Sequence, residues 1–412
     1  MLDKNYIPAD DARQLLLDRL AGITRRVERL PLEKAFDRVL AEDIIAPEDL
    51  PGFARSTVDG YAVRSRDTFG ARDTSPAYLN LAPEILMGSV PAFALRPGEA
   101  APIPTGGMLP EGADAVVMFE HCQKSSESLV EILHAVAPAE NVVQKDEDVK
   151  AGQSVLVSGS RLRPQDVGAL AGLGIASVAV FAQPVVAIVS TGDEVVPLGS
   201  PCGPAQVRDI NSFTLRGLIA HHGGIPVWEG ICRDEYETIR STVAEALQKA
   251  DLVLIVGGTS AGVRDMSASV IDSLGEPGVL FHGVALKPGK PLIGGMIGPK
   301  PVLGLPGHPA AVVGTFESLV RPVLACLCGL RSVAITSRAV TARITKSVAS
   351  VAGREDHIRV RLEDLDGELC AIPVLGKSGL ITTLVRADGI VKIPAPKLGL
   401  DAGESVAVHL FS

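Results

Sequence analysis

Between Val185 and Pro322, three apolar runs each end in a loop rich in glycine, proline or acidic residues, and a helix-like stretch follows each. The first is Val185–Val189, running into Ser190-Thr-Gly-Asp-Glu194. The second is Asp251–Val256, running into Gly257-Gly-Thr-Ser-Ala-Gly262 with Asp265 just beyond. The third is Pro301–Leu305, running into Pro306-Gly-His-Pro309 and preceded by Lys287-Pro-Gly-Lys-Pro291. In a parallel sheet such loops leave the carboxyl edge of the strands, where ligands bind. That edge then gathers glycine amides, carboxylates and lysines, a set suited to a phosphorylated ligand held with a metal.

Asn211 to His222 and Tyr236 to Lys249 have helical patterning between these strands, the latter through Ile239, Val243, Ala246 and Leu247. Alternating strand and helix predicts a doubly wound, mostly parallel α/β domain. At 412 residues the chain exceeds one ordinary core, and two to four domains are expected. Asp10 to Ala41 reads as helical, Ala77 to Val142 as β-rich, Lys145 to Val180 as mixed, and Arg331 to Ser412 as a small β domain.

Net charge is −9 with no long basic run, which argues against nucleic acid or an anionic membrane as partner. The six cysteines are dispersed, without Cys-x-x-Cys spacing, so a structural zinc site is not expected. Met1 opens a polar segment without a signal core, and no uninterrupted apolar stretch reaches transmembrane length. The expectation is a cytoplasmic protein.

Each motif has a plain alternative. The Gly257-Gly258 loop is either a tight turn or a phosphate cradle, and it matches neither the Rossmann nor the Walker fingerprint. Asp265 favours a pocket that also holds Mg²⁺. Thr191-Gly192-Asp193-Glu194 is either a capping turn or a contact to metal or substrate. Lys287 and Lys290, in a proline-restricted loop anchored by apolar flanks, fit a phosphate or a molybdate-like oxyanion. His308 alone is weak, and Asp59 fits the first residue of an Asp-Gly turn. Thr105 sits in what reads as a loop. From the residues alone, the reading stops at Mg²⁺-assisted chemistry on a phosphate-bearing small molecule.

The ordered set of runs closely resembles the molybdopterin molybdenumtransferase family, which includes MoeA and the C-terminal domain of gephyrin. The runs are Phe53–Val63, Ile103–Gly106, Pro110–Val117, Ser190–Glu194, Asp209–Asn211, Arg233-Asp234, Gly257–Ser260 with Asp265, Lys287–Pro291 and Leu305–Pro309. The resemblance implies four domains. Residues 1–45 with 141–180 form a mixed α/β linking domain, and 46–140 a β-rich domain. Residues 181–330 form an α/β domain like that of molybdopterin adenylyltransferases, and 331–412 a barrel-like β domain.

The implied reaction joins adenylyl-molybdopterin and molybdate, with Mg²⁺, to give molybdenum cofactor and AMP. The implied assembly is a homodimer whose cleft sets Asp59 and Thr105 of one subunit against Glu194, Asp234, Asp265 and Lys287 of the other. Glu194, Asp234 and Asp265 would hold metal. Thr191, Gly192, Gly257, Gly258, Ser260, Lys290, Pro306, His308, Pro309 and Ser378 would bind substrate or phosphate. Molybdopterin adenylyltransferase and apo-molybdoenzymes are the implied protein contacts. His308 stands where the family usually has Asn. Three alternatives remain open: a tungstate-inserting paralogue, a molybdopterin adenylyltransferase, and a non-catalytic scaffold of the same fold. Residues 1–180 and 331–412 have no counterpart in an adenylyltransferase, and this favours the molybdenumtransferase.

Overall fold

The computed structural model describes residues 6–257, 261–332 and 339–411, with the side chains of 261–265 outside the described set. At its centre is a six-stranded sheet: β1 (Val185–Thr191), β2 (Ile225–Cys232), β3 (Leu252–Val256), β4 (Pro277–His282), β5 (Ile293–Ile297) and β6 (Lys300–Leu305). Their spatial order is β2-β1-β3-β6-β5-β4. The first four in that order are mutually parallel, and β5 is antiparallel to both its neighbours.

Alternation along the central strands explains the layers. Val186, Ile188, Leu252, Leu254, Leu303 and Leu305 pack on one face against helices Ala9–Leu20 and Asn211–His221 and the helical run 309–327. Ala187, Val189, Val253, Ile255 and Val302 pack on the other against helices Tyr236–Lys249 and Ala261–Leu274. The doubly wound expectation therefore holds. Leu16 and Leu20 of the first helix are fully buried in this core, each burial contributing roughly 2 kcal/mol.

The helical reading of Asp10 to Ala41 is corrected. The helix ends at Leu20, Gly22 takes a φ of 82°, and Val27–Pro31 is a strand. That strand pairs antiparallel with Ser177–Phe181, a partner about 150 residues away that local periodicity does not reveal. Leu32, Leu40 and Ile44 share a small core with Leu162, Leu170 and Val180. Residues 60–132 supply a separate mixed sheet of six strands. The C-terminal segment closes on itself: Glu355–Leu365 pairs with both Glu368–Pro373 and Gly389–Ile393, giving a barrel.

The run Pro309–Leu327 is long and apolar enough to span a bilayer by length and composition, but 83% of it is buried, as a core helix is. His222 packs beside this run, 14% exposed at its side chain. Its Nε2 has no hydrogen-bond partner among the described residues. Glu317 Oε1 is 3.9 Å away, too far to hydrogen-bond, and Arg321 already engages that carboxylate at 2.7 Å. Burial first, then Arg321, His221 and Arg161, push the His222 imidazole down to about 4. An unfolded histidine titrates near 6.5, so the unfolded chain binds the extra proton and stability falls as pH drops from about 6.5 toward 4. The loss attached to this residue is on the order of 3 kcal/mol. His222→Gln is expected to flatten the fall in melting temperature between pH 7 and 4.5, measured by circular dichroism. An unchanged slope would count against a buried neutral imidazole.

Candidate active site

Neighbouring parallel strands β1 and β2 bring their carboxyl-end loops together. Gly192 takes a φ of 141°, which disfavours any side chain, and a Cβ there would press on Glu194 Oε2 and Val195 Cγ2 at 2.8 Å. The Asp234 backbone N–H donates to Asp193 Oδ1 at 3.3 Å. Asp193, Glu194 and Asp234 thus crowd one corner. Burial first, then the charges of Asp193 and Glu194, push the Asp234 carboxyl up. Its Oδ1 is buried and lacks a hydrogen-bond partner among the described residues.

Gly257 ends β3 against β1, where a Cβ would lie 2.2 Å from the Thr191 carbonyl oxygen. The Thr191 hydroxyl is buried there and is likewise unpartnered among the described residues. Gly258 and Ser260 lie outside the described residues, as does the side chain of Asp265 within helix Ala261–Leu274.

Buried Asp209 supports this edge from below. Its carboxylate accepts from the Ser190 hydroxyl at 2.7 Å and from the Ser212 backbone N–H at 3.0 Å. Asn211 Nδ2 donates to the Gly307 carbonyl at 2.8 Å, tethering the Pro306–Pro309 turn. Pro309 is buried as the first residue of helix Pro309–Thr315 and does not face the cavity described next.

A cavity of about 1500 Å³ opens between the central domain and the barrel. Its cationic lining is Lys287, Lys290, Arg354, Arg359 and Lys377, with Pro306, His308 and Ser378 beside them. Leu286–Lys287 pairs parallel with Glu355-Asp356 of the barrel, and Lys287 Nζ lies 3.5 Å from Asp356 Oδ2. The Lys290 ammonium sits 4.2 Å from the Tyr6 ring centroid. Ser378 Oγ and His308 Nδ1 are 3.0 Å apart, joining the barrel to the β6 loop. Arg359 donates to the Gly376 carbonyl at 2.8 Å, and its Nε is buried without a partner among the described residues. Pro291 and Pro306 wall both this cavity and a narrow cleft that reaches Gly257.

Arg354, Asp356, Arg359 and Lys377 were not among the residues expected from sequence. The signal for the first three is the charged run Gly353-Arg-Glu-Asp-His-Ile-Arg359, and Lys377 stands next to Ser378 in Gly376-Lys-Ser-Gly379.

Asp59 and Thr105 form a pair of their own in the β-rich unit. Thr105 donates to Asp59 Oδ1 through its backbone N–H at 2.7 Å and its hydroxyl at 3.0 Å. These two bonds hold the Asp59 carboxyl below the usual carboxylate range. Gly60 is required, since a Cβ would lie 2.0 Å from the Val117 carbonyl oxygen. Among the described residues, no hydrogen bond or ion pair joins residues 53–140 to residues 185–327. The Asp59–Thr105 pair thus has no bonded link to the carboxylate corner among the described residues of one protomer.

The donor set suits a magnesium ion. Three carboxylates lie close together with an orphaned buried oxygen, a repulsion that a cation relieves. No three His, Cys, Asp or Glu side chains among the described residues form a ready-made metal cage. Mg²⁺ needs none, because it takes one or two carboxylates and completes its shell with substrate phosphates and water.

Three family descriptions match in order. "MoeA N-terminal region (domain I and II)" covers residues 7–174, "Probable molybdopterin binding domain" residues 187–325, and "MoeA C-terminal region (domain IV)" residues 341–411. The chain belongs to the MoeA family. A relative in Bacillus subtilis named molybdopterin molybdenumtransferase is 33% identical, over 100% of this chain and 96% of its own length. A Methanocaldococcus jannaschii protein named for molybdopterin biosynthesis is 35% identical over 100% and 99%. A crystal structure of a Pyrococcus horikoshii MoeA protein superposes with a TM-score of 0.81 at 39% identity, covering 99% of this chain and 100% of that one. MoeA proteins of this kind are molybdopterin molybdenumtransferases, enzymes of molybdenum cofactor biosynthesis.

Proposed function

We propose that the protein inserts molybdate into adenylyl-molybdopterin with Mg²⁺, yielding molybdenum cofactor and AMP. The observation that carries this reading is the shared edge. The carboxylate cluster and the cation-lined cavity both sit on loops at the carboxyl edge of one sheet, and Pro291 and Pro306 wall both the cavity and the narrow cleft at Gly257. A doubly charged oxyanion suits the Lys287, Lys290 and Arg359 side, with the Ser378 hydroxyl as a neutral donor. The phosphoanhydride suits the side of Gly257, where Thr191 offers a dry hydroxyl. Gly258, Ser260 and Asp265 extend that side in the proposal.

Mg²⁺ would be held by one or two of Glu194, Asp234 and Asp265 together with substrate phosphate and water, and when bound it supplies Lewis-acid polarisation of the phosphoanhydride. Asp193 then acts as a brace, accepting from the Asp234 N–H and fixing the β2 loop. His308, with its Nδ1 paired to Ser378, holds the cavity wall at the β6 turn.

The working unit in this reading is a homodimer, with Asp59 and Thr105 supplied across the interface. The division into 1–45 with 141–180, 46–140, 181–330 and 331–412 belongs to the same proposal, as do a cytoplasmic setting and contacts with molybdopterin adenylyltransferase and apo-molybdoenzymes.

The deciding assay is AMP release from adenylyl-molybdopterin, with molybdate and tungstate titrated separately and with Mg²⁺ present or chelated. Oxyanion-dependent release that chelation abolishes is the expected result, and the oxyanion with the lower half-saturating concentration names the metal. Tight dimers that release no AMP with either oxyanion would leave a scaffold instead.

A further inference from the structure

We infer that Asp356, a barrel residue, is the positioning residue for Lys287 and so sets how the cavity grips its oxyanion. This rests on the reading of the cavity given under Proposed function.

Asp356 is 1% exposed, yet it stands among five cations. Its Oδ1 accepts from Arg354 Nε at 2.8 Å, and its Oδ2 faces Arg354 Nη2 at 3.4 Å and Lys287 Nζ at 3.5 Å. A site built only to attract anions has no use for a buried carboxylate, which lowers its positive potential. The carboxylate does have a use as a tether. Lys287 remains more than half exposed, and an ammonium has three donors, so one contact with Asp356 leaves two for the cavity. Backbone pairing reinforces the tether, because Lys287 and Asp356 are direct partners in the parallel ladder between the lysine loop and the barrel. A flexible lysine held at both its backbone and its head loses little freedom when the anion arrives.

Two effects oppose each other if Asp356 is simply neutralised. Asp356→Asn frees Lys287 but also adds net positive charge to the cavity. Asp356→Glu separates them, because it keeps the charge, keeps a partner for Arg354 and moves the tether by one methylene. The experiment is molybdate binding by calorimetry, with turnover, on wild type, Asp356→Glu, Lys287→Met and the double variant, using the full chain. Asp356→Glu is expected to weaken molybdate binding roughly tenfold, the loss of about one well-placed charged hydrogen bond. Turnover at saturating molybdate should stay within about threefold of wild type. The double variant should bind no more weakly than Lys287→Met alone, since the tether acts only through that lysine. Losses that multiply, or wild-type binding in Asp356→Glu, would overturn the inference.

A second measurement does not involve the oxyanion. Lys287 labelling by acetic anhydride, followed by peptide mass spectrometry, should rise several-fold in Asp356→Asn and Asp356→Glu relative to an exposed lysine such as Lys150. An unchanged rate would show that Asp356 does not hold the amine. If labelling rises while Lys287→Met leaves molybdate binding intact, the tether stands and the oxyanion reading of the cavity fails. Should Asp356→Asn not fold, the glutamate variant decides both measurements.

Discussion

Asp234→Asn is expected to lower turnover at least about 100-fold while leaving the melting temperature at neutral pH unchanged or higher. The two halves of that result have one cause. Asp234 is held partly buried beside Asp193 and Glu194, and its carboxyl is pushed up by burial first and by those two charges next. A carboxyl raised in the folded state favours the fold below the ordinary carboxylate range, and that contribution is lost as pH rises through the folded value. At neutral pH the ionised group is therefore a strain that an amide of the same shape relieves. The orphaned Oδ1 gives the same indication, since a buried acceptor without a donor is costly unless a ligand arrives. Turnover and thermal melts from pH 4 to 7.5 check both halves, with the variant's relative stability growing toward neutral pH. Destabilisation at neutral pH in step with the activity loss would reduce Asp234 to a structural residue.

Mixing two inactive variants, Asp59→Asn and Asp234→Asn, is expected to restore about a quarter of wild-type turnover. Random pairing makes about half of the dimers mixed, and each mixed dimer has one intact cleft of two if the residues meet across the interface. If both residues served one cleft within a protomer, every cleft in the mixture would carry a lesion and nothing would return. The Asp59–Thr105 pair has no bonded link to the carboxylate corner of its own chain among the described residues. It also lies beside exposed apolar side chains: Leu86, Met87 and Val90 are more than half exposed, and the Met87 Cε atom is 3.5 Å from where a Gly106 Cβ would sit. A patch of that kind beside an anchored carboxylate is a surface that subunit pairing would cover. Co-expression with differently tagged chains, followed by the AMP assay and sedimentation, gives the answer. Mixed dimers that form but stay inactive would sink the shared cleft.

Much of the carboxylate corner was legible from the chain because its parts are local. A buried β-branched run followed by Thr191-Gly192-Asp193-Glu194 carries strand, turn and chemistry within ten residues, whereas Asp234 was marked only by the family resemblance, its strand Ile225–Cys232 not having been read from local pattern. Gly257 could be singled out early as a close approach, and the structure adds Gly60; in both only glycine tolerates the neighbouring backbone. The end of the first helix was not legible. Residues 27–31 become a strand only because Ser177–Phe181 offers a ladder, and hydrophobic spacing alone does not distinguish the two outcomes.

The cavity was half legible. Lys287 and Lys290 advertise themselves by their prolines, whereas Arg354, Asp356 and Arg359 look like ordinary polar positions in a strand. The amino-acid sequence by itself determined the layered α/β core, the family and the residues whose chemistry sits within one strand and its loop, because those depend on short-range patterning. Only the tertiary structure decided that a carboxylate 69 positions after Lys287 would be its partner, and that Asp59 would bond Thr105 and have no bonded link to Asp234 among the described residues. Both follow from how separate hydrophobic cores dock, and docking is governed by surfaces that no local period encodes.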